Sequence, residues 1–197
     1  LMEPRFEKLR AVIYSTPEEL RRFRELVVNG VMATDIADKD LKDLRNNRWA
    51  KAFKERDEEE DIRASVNRKA TIVIEHLIQA SDVSHTMQDF TVYLKWNERL
   101  FHEMSHAYMN GRGSFDPVAQ WYKQELAFYD NFVIPLAHRL WASGLFGQNF
   151  ERQATKNRSE WEELGDRLVR DMADQFQLER TQAEAVTDDD DEDTDDF

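Results

Sequence analysis

The chain has 197 residues, of which 41% are apolar, and this is enough for one well-cored domain. It contains no cysteine, which excludes disulfides, thiolate metal sites and cysteine nucleophiles. The formal net charge is -13, but eight of the last ten residues are acidic. The remaining body is only mildly acidic and has no basic stripe, which argues against nucleic-acid binding.

Low glycine and proline contents, 6 and 4 residues, favour long helices. We predict an all-α fold, a compact multi-helix bundle with a disordered acidic tail. The first helical pattern covers residues 2–14. The second helix should begin at Thr16-Pro17, where a hydroxyl cap precedes proline and two acids, and should end near Asp35. Asp38 is typical of the cap of a third helix.

Charge dominates residues 54–63, which predicts a solvated linker. Helix resumes near residue 64 and should end at about Asp82. Another amphipathic helix is predicted over residues 89–108.

Asp116-Pro117 should open the next helix, and Pro135 should kink or divide it. After a turn at Gly144, a last helix should begin near Asn149 and fade after Gln177. We place the domain at residues 1–178 and the disordered acidic tail at residues 179–197, because that tail cannot bury enough apolar surface to order itself.

Several features bear on location. No run approaches the roughly 18 apolar residues that span a bilayer, and no signal peptide opens the chain. We therefore expect a cytoplasmic protein. The chain begins with Leu1 ahead of Met2, which suggests a piece of a longer protein and leaves open an anchor upstream.

A row of two isoleucines that ends in a carboxylate stands out in residues 71–87. Ile74, Ile78 and Asp82 are four residues apart and therefore share one helix face. A carboxylate is costly to bury without a partner. The pattern alone favours a salt bridge or a helix-end role for Asp82, with a metal ligand as the alternative.

Residues 102–106, HEMSH, match the HExxH signature of zinc proteases. Helical periodicity argues against that function. A stripe that we predict to face the core leaves His102 and His106 facing water. The stripe consists of Tyr93, Trp96, Leu100, Phe101, Met104 and Tyr108. We interpret the motif as a chance match and keep a zinc protease as a minor alternative.

A second candidate is a set of aromatic residues around one carboxylate. Trp121, Glu125, Phe128 and Phe132 follow spacings that place them on one helix face. Such a face can hold a heterocycle, because aromatics stack on the ring and the carboxylate accepts its N–H groups. The residues alone favour a core stripe with Glu125 at its polar edge. Thr34, at a helix end, is best explained by a local turn hydrogen bond.

Three segments resemble class I cyclic-nucleotide phosphodiesterases. IQASDVSHT followed by YLKWNERLF resembles the ADLSN…YxxW segment of that family. VVNGVMATDIADKDL resembles its ATD segment, and WYKQELAFYDNFVIPL resembles its QxGFxxxxxxPL segment. The segments occur in family order, and their wording is most similar to the protist and microalgal branch. Residues 1–178 would then be the C-terminal portion of such a catalytic domain.

The resemblance implies specific roles. Asp82 matches a metal-binding aspartate, and Thr34 matches a residue near waters on the second metal. Phe128 matches the aromatic that clamps the purine, and His85 stands in the pocket where the family usually has asparagine. Pocket-lining positions match Tyr93, Trp96, Asn97, Leu100 and Met104.

The implied activity is the metal-dependent hydrolysis of cAMP or cGMP to the 5′-monophosphate in signal transduction. In the family, two divalent ions, zinc and either magnesium or manganese, supply the hydroxide that attacks phosphorus. The substrate partner would be a cyclic nucleotide.

One departure concerns the base. The purine-reading glutamine of the family falls on Glu125, which can only accept hydrogen bonds. A carboxylate can accept an adenine N6–H or the guanine N1–H and N2–H pair, so the cAMP/cGMP preference stays open with a lean to guanine.

The other departure is an absence. No histidine precedes His76. The metal-binding histidines and the proton-donating histidine of the family would lie in a missing N-terminal half, which should also pack on this chain. We expect no general acid within the chain, and we expect the chain alone to be inactive and poorly folded. The alternative function is a non-catalytic helical nucleotide-binding or interaction module derived from a phosphodiesterase.

Overall fold

A computed structural model of the chain describes residues 3–36, 38–54 and 61–192, with side chains described through Gln182. These residues are almost entirely helical and contain no strand, which confirms the all-α prediction. The α-helices are α1 Glu7–Ile13, α2 Pro17–Thr34, α3 Lys39–Phe53, α4 Ile62–Asp82, α5 Phe90–Met109, α6 Pro117–Phe128, α7 Ile134–Ala142 and α8 Asn149–Glu192. Shorter 3₁₀ turns are Pro4–Phe6 and Ser84–Met87, and Tyr129–Val133 is π-helical.

The helix starts follow from their capping residues. Thr16 and Glu19 form a reciprocal capping box at the start of α2. Side-chain oxygens of Asp38, Asp89 and Asp116 accept backbone N–H groups at the starts of α3, α5 and α6. These boundaries confirm the predicted helix starts. They could be predicted because a cap depends only on neighbouring residues.

Pro135 is the second residue of α7, and Ile134 separates it from the π-helical turn. A proline cannot donate its backbone hydrogen bond, and a wider turn before it accommodates the loss. The helical conformation is continuous from α6 to α7, and the π-helical turn lies where the sequence predicted a kink or a break.

The chain forms two compact units. The first comprises Leu1–Val83 and Arg139–Gly147. Its centre is α4, against which α2 and α3 pack. Trp49, Ala52 and Ile72 form a buried cluster in this unit. On α2, a Cβ at Gly30 would lie 3.0 Å from Ile78 Cδ1, so the two helices approach closely.

The second unit comprises Ser84–His138 and Gln148–Phe197. In it, α8 packs along α5, α6 and the turn Ser84–Met87. Phe101, Tyr129 and Trp161 are fully buried in this unit. The long helix α8 thus supplies core residues to a unit that otherwise consists of shorter helices.

Helix α8 continues beyond Gln177, where we expected it to fade, and reaches Glu192. Residues 193–197 and the side chains after Gln182 lie outside the described part, so the disordered tail stays a prediction. Residues 55–60 of the predicted linker also lie outside the described residues. Within the described helices, no stretch combines the length and the hydrophobicity that membrane crossing requires.

Candidate functional site

The best-defined polar arrangement of the second unit is centred on Glu125 of α6. The Tyr93 hydroxyl donates to Glu125 Oε2 at 2.7 Å. Asn97 Nδ2 donates to the Tyr93 hydroxyl at 3.1 Å, and Trp121 Nε1 donates to Asn97 Oδ1 at 3.1 Å. We call these three hydrogen bonds the Glu125 relay. It joins α5 to α6 through side chains one helical turn apart on each helix.

Burial shifts the pKa values of the two acidic groups in the Glu125 relay. It raises the pKa of Glu125, while hydrogen bonds from Tyr93 and Asn97 oppose that shift. Burial and the neighbouring carboxylate hold the pKa of Tyr93 well above its usual range. Tyr93 therefore stays a neutral hydroxyl that can donate its proton.

Aromatic rings lie next to this carboxylate along the chain. Phe128, one turn after Glu125, stacks on Phe132 with ring centroids 5.4 Å apart and an interplanar angle of 20°. Both rings are half-buried. A flat, partly open aromatic surface and a carboxylate on one helical segment are suited to a heterocyclic ring that carries N–H groups.

The predicted pocket residues of α5 divide into two groups. Tyr93 and Asn97 are 1% and 3% exposed and hold Glu125 from within the core. Trp96 and Leu100 are 50% and 45% exposed, and Met104 is half-buried. The first group can position a ligand-binding residue, and only the second can present apolar surface to a ligand.

The His85 ring lies 5.9 Å from the ring of Trp96, and burial lowers its pKa. Arg99 lies over the ring of Trp96, with its guanidinium carbon 5.3 Å from the ring centroid. His85 thus belongs to the same exposed aromatic group as Trp96.

The predicted face of α5 is wrong in part. Trp96, Leu100 and Tyr108 are exposed rather than buried. His102 is half-buried, with its ring 5.5 Å from that of Phe176 of α8, whereas His106 is exposed as predicted although its ring lies 4.8 Å from the same phenylalanine. The buried face is instead Phe90, Tyr93, Asn97, Phe101 and Ser105. Packing against α8 rotates the buried stripe away from the one that periodicity predicts.

Helix α8 contributes to the site, although its sequence pattern did not predict a role there. Asn157 is fully buried, and its Nδ2 donates to Thr86 O at 2.9 Å and to Gln88 O at 2.8 Å. The buried Trp161 ring lies edge-on to Tyr93 at 5.8 Å. These contacts fix the turn before α5 and the ring that contacts Glu125. The four-residue spacing of Asn157 and Trp161 places them on one helix face, and this is the sequence feature that could have indicated their role.

In the first unit, Asp82 is the last residue of α4, and its side chain is exposed. Thr34 Oγ1 donates to Val31 O at 2.8 Å, which is the local hydrogen bond that the residues alone favoured. Exposure leaves the Asp82 carboxylate available as a ligand. Its predicted metal role and that of Thr34 remain predictions.

A divalent ion needs about four to six ligands. Over residues 3–36, 38–54 and 61–192, no group of three His, Asp or Glu side chains is arranged to hold a metal ion. The described donors therefore do not fit a complete metal centre by themselves.

The first unit also contains a buried polar cluster that the sequence did not reveal. Arg48 Nη1 lies 2.8 Å from Oε1 and 3.0 Å from Oε2 of the buried Glu75. His76 Nδ1 lies 2.7 Å from Ile72 O, so this nitrogen carries the proton and Nε2 can accept from Arg139 Nη1 at 3.3 Å. Arg139 also donates to Asn46 Oδ1. Each side chain of this cluster is paired with another, although Glu75 Oε1 is contacted only through the ion pair and has no hydrogen bond, and this pairing indicates a structural role.

A family model described as 3'5'-cyclic nucleotide phosphodiesterase matches residues 5–145, well over half of the chain. Comparison with curated proteins and with solved structures found no match. The matched residues include the three segments quoted above. Most of α8 follows the matched range.

Proposed function

Because the chain belongs to the 3'5'-cyclic nucleotide phosphodiesterase family, we propose that it serves the hydrolysis of cAMP or cGMP to the 5′-monophosphate. The observation that carries this proposal is the Glu125 carboxylate, held by Tyr93 and followed by the stacked rings of Phe128 and Phe132. The rings would stack on the purine, and the carboxylate would accept its N–H groups.

The exposed apolar surface of α5 would complete the base site. Trp96, Leu100 and Met104 would contact the nucleotide, and His85 would adjust the contacts of Trp96. Tyr93 and Asn97 would act through Glu125, since both are buried.

In the first unit, we propose Asp82 as one ligand of the two divalent ions of the complete domain, zinc and either magnesium or manganese. Members of this family are generally metal-dependent. Bound metal makes hydroxide available at neutral pH. Thr34 would lie near metal-bound water. No residue of this chain is assigned as the general acid, which we expect from the missing N-terminal half.

Nucleotide binding by the chain tests the base site. We expect cyclic nucleotide to bind, as measured by titration calorimetry. Phe128→Ala should weaken binding about tenfold, because stacking on a base contributes about 1–3 kcal/mol. Phe150→Ala is the matched control, since Phe150 is an exposed phenylalanine at the start of α8. Equal effects of the two substitutions, or no binding, would refute the base site.

Product formation tests whether the chain alone can catalyse the hydrolysis. We expect no 5′-monophosphate in ³¹P NMR spectra of cyclic nucleotide incubated with the chain and divalent metal, because we propose no residue of this chain as the proton donor to the leaving group. Hydrolysis by residues 1–197 would show that this assignment is wrong.

The alternative, a nucleotide-binding module without catalysis, draws support from the acceptor-only Glu125 at the purine-reading position. Hydrolysis by the complete protein and by its Asp82→Asn variant distinguishes the two proposals. Hydrolysis that is lost on this substitution supports the enzyme, and no hydrolysis by the unsubstituted protein supports the module.

A further inference from the structure

The π-helical turn Tyr129–Val133 sets the geometry between two aromatic rings, those of Phe128 and Phe132. The N–H of Ile134 donates to Tyr129 O, five residues back, so this turn contains one residue more than an α-helical turn. The extra residue changes the angle between the ring that precedes the turn and the ring within it. In this geometry Phe132 stacks on Phe128, with ring centroids 5.4 Å apart.

The protein core holds one side of this turn. Tyr129 and Val133 are fully buried, and the Tyr129 hydroxyl donates to Thr86 O at 3.4 Å. Asp130 lies on the outer side, and its side chain is 48% exposed. Packing alone therefore does not fix the outer side of the turn.

Arg158 of α8 supplies a polar contact on that outer side. Its Nε donates to Asp130 Oδ1 at 2.9 Å, and its Nη2 donates to Asp130 Oδ2 at 3.1 Å. We call this pair of hydrogen bonds the Arg158–Asp130 fork. Two parallel bonds from a planar guanidinium fix the orientation of a carboxylate as well as its distance. They also hold the pKa of Asp130 below its usual range, so this carboxylate is ionised at neutral pH.

Arg158 is itself held in place. Its Nη1 donates to Glu162, one turn further along α8. The preceding residue, Asn157, is fully buried and donates to the carbonyls of Thr86 and Gln88. The Arg158–Asp130 fork therefore extends from a fixed part of α8. Arg158 lies beyond residue 145, where the match to the family model ends.

We propose that Arg158 is a positioning residue for nucleotide binding, which acts through Asp130 to hold the π-helical turn in the geometry that stacks Phe132 on Phe128. The proposal deepens the proposed function and rests on it. A π-helical turn is rare and depends on the contacts around it. Without the fork, the two rings would have to be ordered when the base binds, and this ordering lowers the affinity.

The affinities of the chain for cGMP and cAMP, measured by titration calorimetry, test the proposal. Arg158→Gln should weaken the binding of both nucleotides about fivefold, because the rings are no longer ordered before the base binds. Arg158→Lys should weaken binding about threefold, since an ammonium group keeps the charge but cannot form the fork. Arg170→Gln is the matched control, because it removes the same charge from α8 at an ion pair in which both side chains are 69% exposed.

Asp130→Asn separates positioning from net charge. Nucleotides are anionic, so the loss of a negative charge would strengthen binding if only net charge mattered. We expect this substitution instead to weaken binding about fivefold. The double variant with Arg158→Gln should bind no more weakly than either single variant, because both substitutions break the same contact. Wild-type affinity in Arg158→Gln, or tighter binding in Asp130→Asn, would overturn the proposal.

A second readout needs no nucleotide. NOEs between the rings of Phe128 and Phe132 should be about twofold weaker in Arg158→Gln and Asp130→Asn than in the wild type and Arg170→Gln. Circular dichroism melting curves should show that these proteins are folded, and Arg158→Lys gives the same comparison if Arg158→Gln does not fold. NOEs of equal strength in all the folded proteins would overturn the positioning role.

Failure of the proposed function has a different signature. If the wild type binds neither nucleotide, the proposed function falls, and the role of Arg158 in nucleotide binding falls with it. The NOEs between the two rings then still decide whether the Arg158–Asp130 fork holds the π-helical turn.

Discussion

Each compact unit contains a glutamate that is removed from solvent, fully for Glu75 and in part for Glu125, and the two are stabilised in different ways. Glu75 of the first unit, with its side chain 4% exposed, is paired with the guanidinium of Arg48. Glu125 of the second unit accepts from the neutral hydroxyl of Tyr93, and within the described residues no cation pairs with it. Burial raises the pKa of both. A buried carboxylate with its own cation is a structural element, whereas one held only by neutral donors remains able to bind a ligand.

The surroundings support the same contrast. Around Glu75, Arg45 donates to the carbonyls of Met32 and Asp35 and thereby closes the end of α2. Around Glu125, the neighbouring aromatic rings are only half-buried. The first cluster pairs its charged groups with one another, and the rings of the second retain access to solvent.

Removal of the cation from the first cluster should have the largest effect. Arg48→Met leaves Glu75 buried without its partner, and we expect a loss of about 3–4 kcal/mol in the free energy of unfolding, measured with urea. Arg170→Met is the control, because Arg170 and its partner Asp166 are both 69% exposed. That substitution should cost less than about 0.5 kcal/mol. Similar losses would mean that Glu75 does not depend on Arg48.

The next effect is a pH dependence that His76 creates. Burial, together with the neighbouring arginines, lowers the pKa of His76 from 6.5 to about 4. The unfolded chain therefore binds the proton at a higher pH than the folded chain, and stability falls as the pH drops from about 6.5 toward 4. The unfolding free energy of the parent should fall by about 2–3 kcal/mol more than that of His76→Gln over this pH range.

Glu75 contributes with the opposite sign, because the folded chain holds its proton more tightly than the unfolded chain. The difference between His76→Gln and the parent removes this term, since both retain Glu75. Parallel curves of unfolding free energy against pH would contradict the neutral, buried His76.

Tyr93→Phe should weaken the second unit by about 2 kcal/mol, measured by urea unfolding. It removes the donor to Glu125 and leaves the buried Asn97 amide without its acceptor. Tyr122→Phe is the matched control, because that hydroxyl donates to Glu162 O at an exposed position. An equal loss from Tyr122→Phe would remove the distinction between a buried relay and an ordinary surface hydrogen bond.

The smallest effect on stability should come from Glu125 itself. Glu125→Gln should change the unfolding free energy by less than about 1 kcal/mol, since no cation loses its partner and Tyr93 can still donate. Glu75→Gln should cost about 2 kcal/mol, because Arg48 loses its counter-charge. If both substitutions cost the same, Glu125 is structural and the contrast between the two clusters fails.

The sequence predicted what depends on neighbouring residues. The caps Thr16, Asp38, Asp89 and Asp116 act within four residues of the helix start, so these boundaries could be predicted directly. The residues of the proposed base site share a helical spacing, Trp121, Glu125, Phe128 and Phe132, and their role in binding a base stays a prediction.

What could not be predicted depends on partners far along the chain. The face of α5 is fixed by Phe176, about 70 residues after His106, and periodicity alone cannot show which helix will cover a stripe. The link between His76 and Arg139 spans 63 positions. The direction of the Glu125 relay needs the packing of α5 on α6, which brings Trp121 to Asn97.

The proposed function requires that the segment bearing Glu125 and Phe128 binds the base of a cyclic nucleotide. Intermolecular NOEs between unlabelled cGMP and the chain labelled at phenylalanine would detect this binding. We predict NOEs from the guanine H8 to the rings of Phe128 and Phe132, and their loss in Phe128→Ala but not in Phe150→Ala. NOEs to other phenylalanines only, or equal signals in both variants, would contradict the account.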